Sequence, residues 1–225
     1  MGDEVFDEPH LMVVIEPVRL ESGDDLYVHP PFVVPFYLLK AKKLRDKAEP
    51  RRLSALRKPV RTDDGTYRPS SPLQVLDALE DLSLAVILSL AAIEAKANDM
   101  IGRLPDDAMV EIPTRVGGKT VAVMRDKGAM DWLSLADKIS CAAPLLHGTP
   151  SIKSTVAWQK YKRLSRLRNA LVHPRREAIN DPLKPSVFGR LLTGAGSRAP
   201  EDAAEVIEAM DPGWLPKEAR AELGL

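Results

Sequence analysis

With 225 residues, 44% of them hydrophobic and 28% charged, the chain is long enough to bury a sizeable core, and its composition excludes a wholly disordered protein. Lys and Arg balance Asp and Glu to a formal net charge of zero, so attraction to a polyanion must come from local clustering of charge. The single cysteine, Cys141, excludes an internal disulfide; it lies in an apolar helical pattern with no neighbouring base to activate it. The longest uncharged apolar run, Leu82 to Ile93, is too short to cross a bilayer, and the acidic start MGDEVFDEP lacks the basic and apolar regions of a secretory signal. A cytoplasmic location with no membrane partner is therefore expected.

Residues 1 to 69 carry the weakest patterns. LMVVIEPVRL, from Leu11 to Leu20, is rich in β-branched residues and interrupted by Pro17, which predicts a short strand ending in a turn at Gly23, Asp24 and Asp25. Pro35 suits the first turn of a helix from Phe36 to Lys47. Basic residues continue through Arg51, Arg52, Arg57, Lys58 and Arg61, either as a solvated face and linker or as a basic arm on RNA. Asp63, Asp64, Gly65 and the Pro/Ser cluster from Pro69 to Pro72 mark a boundary.

Ser71 followed by Pro72 starts a helix, and Leu76, Leu79, Leu82, Val86, Leu90, Ile93, Ala97 and Ile101 recur at spacings of three and four, so one long helix is expected over Leu73 to Leu104. Its middle is apolar on nearly every side, which requires more than one helical neighbour. Glu94 and Asn98, four apart, share a face and could complete a site or satisfy buried partners. From Met109 to Met124 the period changes to two around Gly117 and Gly118, the pattern of an inserted β-hairpin. Gly118, Lys119 and Thr120 look like the tail of a phosphate loop, but Pro113 occupies the place of its first glycine, which rules that loop out.

Asp131 is placed to cap a helix to His147 with Trp132, Leu135, Ile139, Ala142, Ala143 and Leu146 on its core face, stopped by Gly148. Ser151 or Ser154 can cap the next helix, where Trp158, Tyr161, Leu164, Leu167 and Leu171 are at core spacing and which Pro174 ends at His173. From Lys153 to Arg176 there are eight Lys or Arg and no acid, a placement that suits a phosphate-bearing partner; Lys160, Arg163, Arg166, Arg175 and Arg176 are the candidate RNA contacts. A short apolar segment follows at Val187 to Leu192, then a flexible GAGS from Gly194 to Ser197. Pro200 starts a helix through Met210 with Glu201 and Asp202 in its first turn, and one more short helix follows Pro216. The acidic tail could answer the basic helix within the chain or in a second copy.

Within YKRLSRLRNALVHPRR, from Tyr161 to Arg176, Arg168, Asn169 and His173 interrupt a leucine pattern with three different polar chemistries. Together with the long helix bearing Glu94 and Asn98 and the LLHG that ends the following helix, WQKYKRLSRLRNALVH resembles HEPN domains, helical bundles whose signature is Arg, four to six residues, then His, often with Asn after the Arg. The resemblance covers about Pro72 to Met210. It implies a mainly α fold, an antiparallel HEPN-like bundle over residues 70–212, with the hairpin inserted near 109–124, an extension over 1–69 and a tail over 213–225. It also implies a homodimer, a toxin or defence context with an antitoxin or inhibitor protein, and, in many members, metal-independent ribonuclease activity.

That chemistry follows from the side chains. RNA supplies its own nucleophile in the 2′-hydroxyl, so cleavage needs a base, an acid and positive charge on the phosphate, and neither metal nor cofactor. His173 suits the proton transfers, Arg168 a bidentate hold on phosphate, and Asn169 its orientation, with Glu94 and Asn98 supporting. Positions five apart are turned by roughly 140° on a helix, so Arg168 and His173 need a loosened helix end or a second copy to converge. Two other readings stand beside this one: a non-catalytic RNA- or nucleotide-binding module, and a structural or interaction bundle in which Arg168 pairs with Glu94 and His173 caps its helix. His10, His29, His147 and His173 have no Cys or carboxylate at ligand spacing, and no G-x-S-x-G elbow is present, so a metal site and a serine hydrolase are not expected.

Overall fold

The structure, a computed structural model, describes residues 17–19, 22, 25–27, 33–57, 59–63, 65, 67–116, 119–130, 132–148, 150–173 and 186–225. The chain is mainly helical, with eight α-helices among the described residues. Compact packing divides it into Met1–Val33 and Val34–Leu225. In the first unit, β1 (Pro17–Arg19) pairs antiparallel with β2 (Asp25–Tyr27), so Asp25 belongs to a strand and not to the expected turn, whose Gly23 and Asp24 lie outside the described residues.

The boundary expected at residue 69 falls inside the second unit, Val34–Leu225. The helix expected to stop at Lys47 runs on as α1 (Val33–Arg57) through Pro50. Proline removes one backbone donor and favours a break, but tertiary bonds from the basic run hold the helix in place. Arg45 bridges to Glu201, Lys47 and Arg51 both reach Asp81, and Arg52 donates to the Leu192 carbonyl at 2.6 Å. Arg51 and Arg52 of the basic run are thus occupied within the chain, while Lys58 lies outside the described residues. A second small hairpin pairs β3 (Val60–Arg61) with β4 (Tyr67–Arg68), and between them Gly65 takes φ +79°, while Asp64 lies outside the described residues.

The central element is α2 (Pro72–Gly102). Ser71 stands at its N-cap in extended geometry but makes no side-chain cap bond; the proline at the first position already removes one orphan donor. Leu82, Val86, Ile93, Ala97 and Met100 are fully buried along one broad face. The hairpin follows as β5 (Met109–Val116) and β6 (Lys119–Asp126), paired in register from Met109↔Asp126 to Val116↔Lys119.

A short helix, α3 (Lys127–Met130), precedes α4 (Leu135–His147). The expected cap Asp131 lies outside the described residues, and the cap is Ser134, whose Oγ accepts from the Asp137 N–H at 3.2 Å. Starting α4 at Leu135 leaves Trp132 in the preceding turn, 91% exposed and not in the core. Ile139 is buried as expected, Leu135 and Leu146 pack against the core, and Gly148 ends the helix in left-handed geometry at φ +62°. The side chains of Ala142 and Ala143 lie outside the described residues. A 3-10 turn at Ile152–Ser154 leads into α5 (Val156–Val172), capped by Thr155 and not by either serine.

Then come α6 (Val187–Leu192), α7 (Ala199–Met210) and α8 (Lys217–Leu223). Helix α2 packs against α4, α5, α6 and α7, while α5 and α7 also pack on each other, which gives the apolar middle of α2 its several neighbours. Between α6 and α7 the segment expected to be flexible is packed: Gly196 is buried, and a Cβ there would lie 2.9 Å from Leu191 and 3.2 Å from Val86. Gly196→Ala is accordingly expected to cost about 1–3 kcal/mol, as overpacking does, read as a lower midpoint in urea denaturation.

One polar cluster is buried beside this core. Lys96 on α2 has no solvent exposure; its ammonium reaches Asp211 at 2.6 Å and Asp99 at 3.2 Å and lies 3.8 Å over the Trp214 ring. His147 Nε2 also stands 3.2 Å from the Asp211 carboxylate, so one carboxylate meets α2, the end of α4 and the end of α7. Burial pulls the Lys96 ammonium down from its ordinary value of 10.5, and Asp211 and Asp99 pull it part of the way back.

Candidate functional site

Helix α5 runs antiparallel to α2. Burial raises the pKa of the Tyr161 phenol and a bond with Ser165 draws it part of the way back; the direction of α5 follows from α7, which runs along α2 from Gly196 beside Val86 to Asp211 on Lys96 and against α5 from Asp202 on Arg163 to Glu205 on Lys160. Leu167 and Val86 both flank Gly196. This register separates residues that share a helix face in sequence. From the Leu167/Val86 level, His173 lies about 9 Å along one direction and Glu94 about 12 Å along the other at 1.5 Å per residue.

Glu94 and Asn98 therefore do not join Arg168, Asn169 and His173 within one chain. Glu94 is exposed, and the Asn98 carbonyl oxygen is taken by Lys138 Nζ at 2.8 Å. The register also keeps Glu94 away from Arg168, so the ion pair of the purely structural reading is not formed.

The three motif residues do stand together at the end of α5. Arg168 is seven residues past Tyr161, two turns on along the same inner face, and is half-buried. Among the described residues its guanidinium reaches only the Asn169 Oδ1, at 3.1 Å. Asn169 and His173 are exposed, one turn apart. His173 leaves helical geometry at φ −126° and ψ 72° while its N–H still donates to the Asn169 carbonyl at 2.9 Å. Pro174 follows and biases His173 away from the helical region, so the imidazole is freed from the regular angular step that turns it away from Arg168.

The basic residues flanking the motif divide into two groups. Lys160 binds Glu205, and Arg163 binds Asp202, both acids on α7. Asp202 is almost wholly buried, and these two pairs hold α5 against α7, with the Arg163 side chain still half-exposed. The acids are Asp202 in the first turn of α7 and Glu205 one turn on; the choice of partner depends on α5 and α7 lying antiparallel. Arg166 is exposed, while Arg175 and Arg176 lie outside the described residues.

A further feature was not foreseen. The outer face of α2 exposes Leu73 by 74%, Leu76 by 61% and Leu84 by 41%, with Ile87 half-buried in line with them and Asp77 and Glu80 between. Val172, between Arg168 and His173, is 46% exposed. The motif end of α5 thus sits in a bundle whose central helix has an uncovered apolar stripe.

No group of three or more His, Cys, Asp or Glu among the described residues is arranged to hold a metal ion. No helix among them is long and apolar enough to cross a membrane. No protein-family model matches the chain, and no curated protein or solved structure matches it.

Proposed function

We propose that the protein is a metal-independent endoribonuclease of the HEPN type that cleaves RNA at a cleft between two copies. The observation that carries this reading is the contrast along α5: Lys160 and Arg163 are neutralised by α7, whereas Arg168, Asn169 and His173 present polar atoms at an open helix end, with no carboxylate on Arg168 among the described residues. A purely structural motif would be tied down as its neighbours are.

In the proposed reaction one His173 takes the 2′-hydroxyl proton, the 2′-oxygen attacks phosphorus, and the bond to the 5′-oxygen breaks. The leaving oxygen takes a proton from the second copy's imidazole, yielding a 2′,3′-cyclic phosphate and a 5′-hydroxyl. Arg168 holds the non-bridging oxygens as charge builds on them, and Asn169 orients them.

The outer stripe of α2 offers the surface for the second copy, with Asp77 and Glu80 as an acidic rim for the partner's exposed Arg166. Leu76→Glu with Leu84→Glu is expected to give a folded monomer, seen as a halved mass in light scattering, with cleavage lost alongside. On the same reading, an inhibitor or antitoxin protein would act by covering this end of the bundle.

The test is incubation of the purified protein with tRNA and mRNA in EDTA, beside Arg168→Ala and His173→Ala proteins of verified helicity. Cleavage by the parent and not by the variants supports the reading. Absence of cleavage, or equal cleavage by all three, sinks it; salt-sensitive RNA binding without turnover would assign a binding module instead.

A further inference from the structure

The start of α1 offers a second surface, at the other end of the bundle. Arg45 meets Glu201 at the beginning of α7, and Arg220 of α8 meets Glu208 near its end at 3.2 Å. The first turns of α1 therefore lie towards α8, away from the α5 terminus. There Phe36, Leu39, Lys40 and Lys43 follow one another at spacings of three, one and three on a single face of α1. With Lys42, Asp46 and Glu222 of α8 they line an open groove of about 390 Å³.

The lining has two chemistries. Phe36 is 49% exposed although it lies among buried Val34, Pro35 and Leu38, and Leu39 beside it is half-buried, which gives an apolar floor open to solvent. Above it, Lys42 is paired with Asp46 at 2.6 Å, but Lys40 and Lys43 are exposed and in no ion pair among the described residues. An aromatic anchor point beside free cations fits a ligand that is apolar and anionic at once.

A nucleic-acid strand fits less well, because Asp46 and Glu222 stand in the same groove and would repel a continuous phosphate backbone. A small molecule would want more enclosure than an open groove at the lower end of the usual ligand-pocket size, about 300–1,000 Å³. A peptide segment can place an apolar side chain on Phe36 and Leu39 and single carboxylates on Lys40 and Lys43 while avoiding the two acids.

We propose that this groove is a docking site for an acidic, apolar-anchored segment of a partner protein. The site stands apart from the ribonuclease reading and does not depend on it. Its recognition is directional: the apolar contact supplies desolvation, and the two lysines select carboxylates and steer their approach.

Fluorescence polarisation with full-length protein and a labelled peptide EEFEELLEE tests it, with KKFKKLLKK and a labelled single-stranded RNA as parallel probes. The acidic peptide is expected to bind saturably. Lys40→Glu with Lys43→Glu should weaken it at least tenfold and Phe36→Ala several-fold, with helicity and RNA cleavage unchanged since none of these residues belongs to the α5 site. The proposal is overturned if the acidic peptide fails to saturate, if the basic peptide binds equally, or if the charge reversals leave the affinity intact. RNA binding that disappears in the charge-reversed protein, with peptide binding unaffected, would assign the groove to nucleic acid and likewise overturn it.

Discussion

His173→Ala is expected to lower the rate of RNA cleavage by about 10²–10⁴-fold, the range a general acid or base supplies. The same change should leave stability within about 0.5 kcal/mol, because the imidazole is exposed and stands outside the core. That split separates catalysis from helix capping, since a structural histidine would move the melting temperature and not the turnover of folded protein. Arg168→Lys keeps the charge but loses the bidentate fork, so it should be nearly as inactive as Arg168→Ala. Mixing parent with His173→Ala chains supplies a sharper readout. The proposed cleft draws one imidazole from each copy, so a mixed dimer lacks one of the two proton-transfer groups; at equal mixing, where about a quarter of the dimers are parent only, activity should fall to about a quarter of that of the same chains unmutated. If each copy acts alone, about half survives.

Asp211→Ala should have the largest effect on stability, about 3–5 kcal/mol, because it strands the Lys96 ammonium in the interior with only Asp99 at 3.2 Å. For a chain of this size that corresponds to a fall of roughly 10 °C in melting temperature. The pH dependence has a definite sign. A base whose pKa is lower in the folded state than its ordinary 10.5 costs stability while protonated, and the cost is relieved as pH rises from the folded value towards 10.5. Removing Asp211 removes the leading influence that raises Lys96, so the deficit of the variant should shrink with alkaline pH. Lys96→Met combined with Asp211→Leu should recover much of the loss, since a well-packed apolar pair replaces both charges; His147 and Arg103, both partly exposed, are left to water. Equal urea midpoints for parent and Asp211→Ala would show that the cluster contributes nothing.

Much of this architecture was legible because local chemistry and tertiary packing agree. The three-and-four leucine spacing of α2, the alternation of the two hairpin strands and the proline opening α7 all act within a few residues of where they stand in sequence, while Gly117, Gly118 and Pro174 lie outside the described residues. The misreadings arose where a distant residue decided the outcome. The helix from Phe36 reads as ending at Lys47, yet Asp81 and the Leu192 carbonyl hold α1 together past Pro50. The GAGS segment reads as flexible from its glycines, yet Gly196 is the one residue small enough to lie between Leu191 and Val86. At the site, sequence places Arg168, Asn169 and His173 at a helix end correctly. It cannot supply the register of α5 against α2, which sends Glu94 and Asn98 to the opposite end. Nor can it reveal that Lys160 and Arg163 have acids of their own.

Those two ion pairs set how the protein would respond to ionic strength. A cation facing water keeps a cloud of mobile anions, and on meeting a phosphate it exchanges them for the strand, with an entropy gain that salt abolishes. Lys160 and Arg163 have already made that exchange with Glu205 and Asp202 during folding. Of the eight cations from Lys153 to Arg176, at most six are left to release counterions. At about 0.7 of logarithmic slope per phosphate on a single strand, the ceiling drops from about 5.6 to about 4.2. The chain thus uses part of its basic helix as mortar, and it would hold RNA with a weaker but more salt-tolerant grip than its sequence advertises.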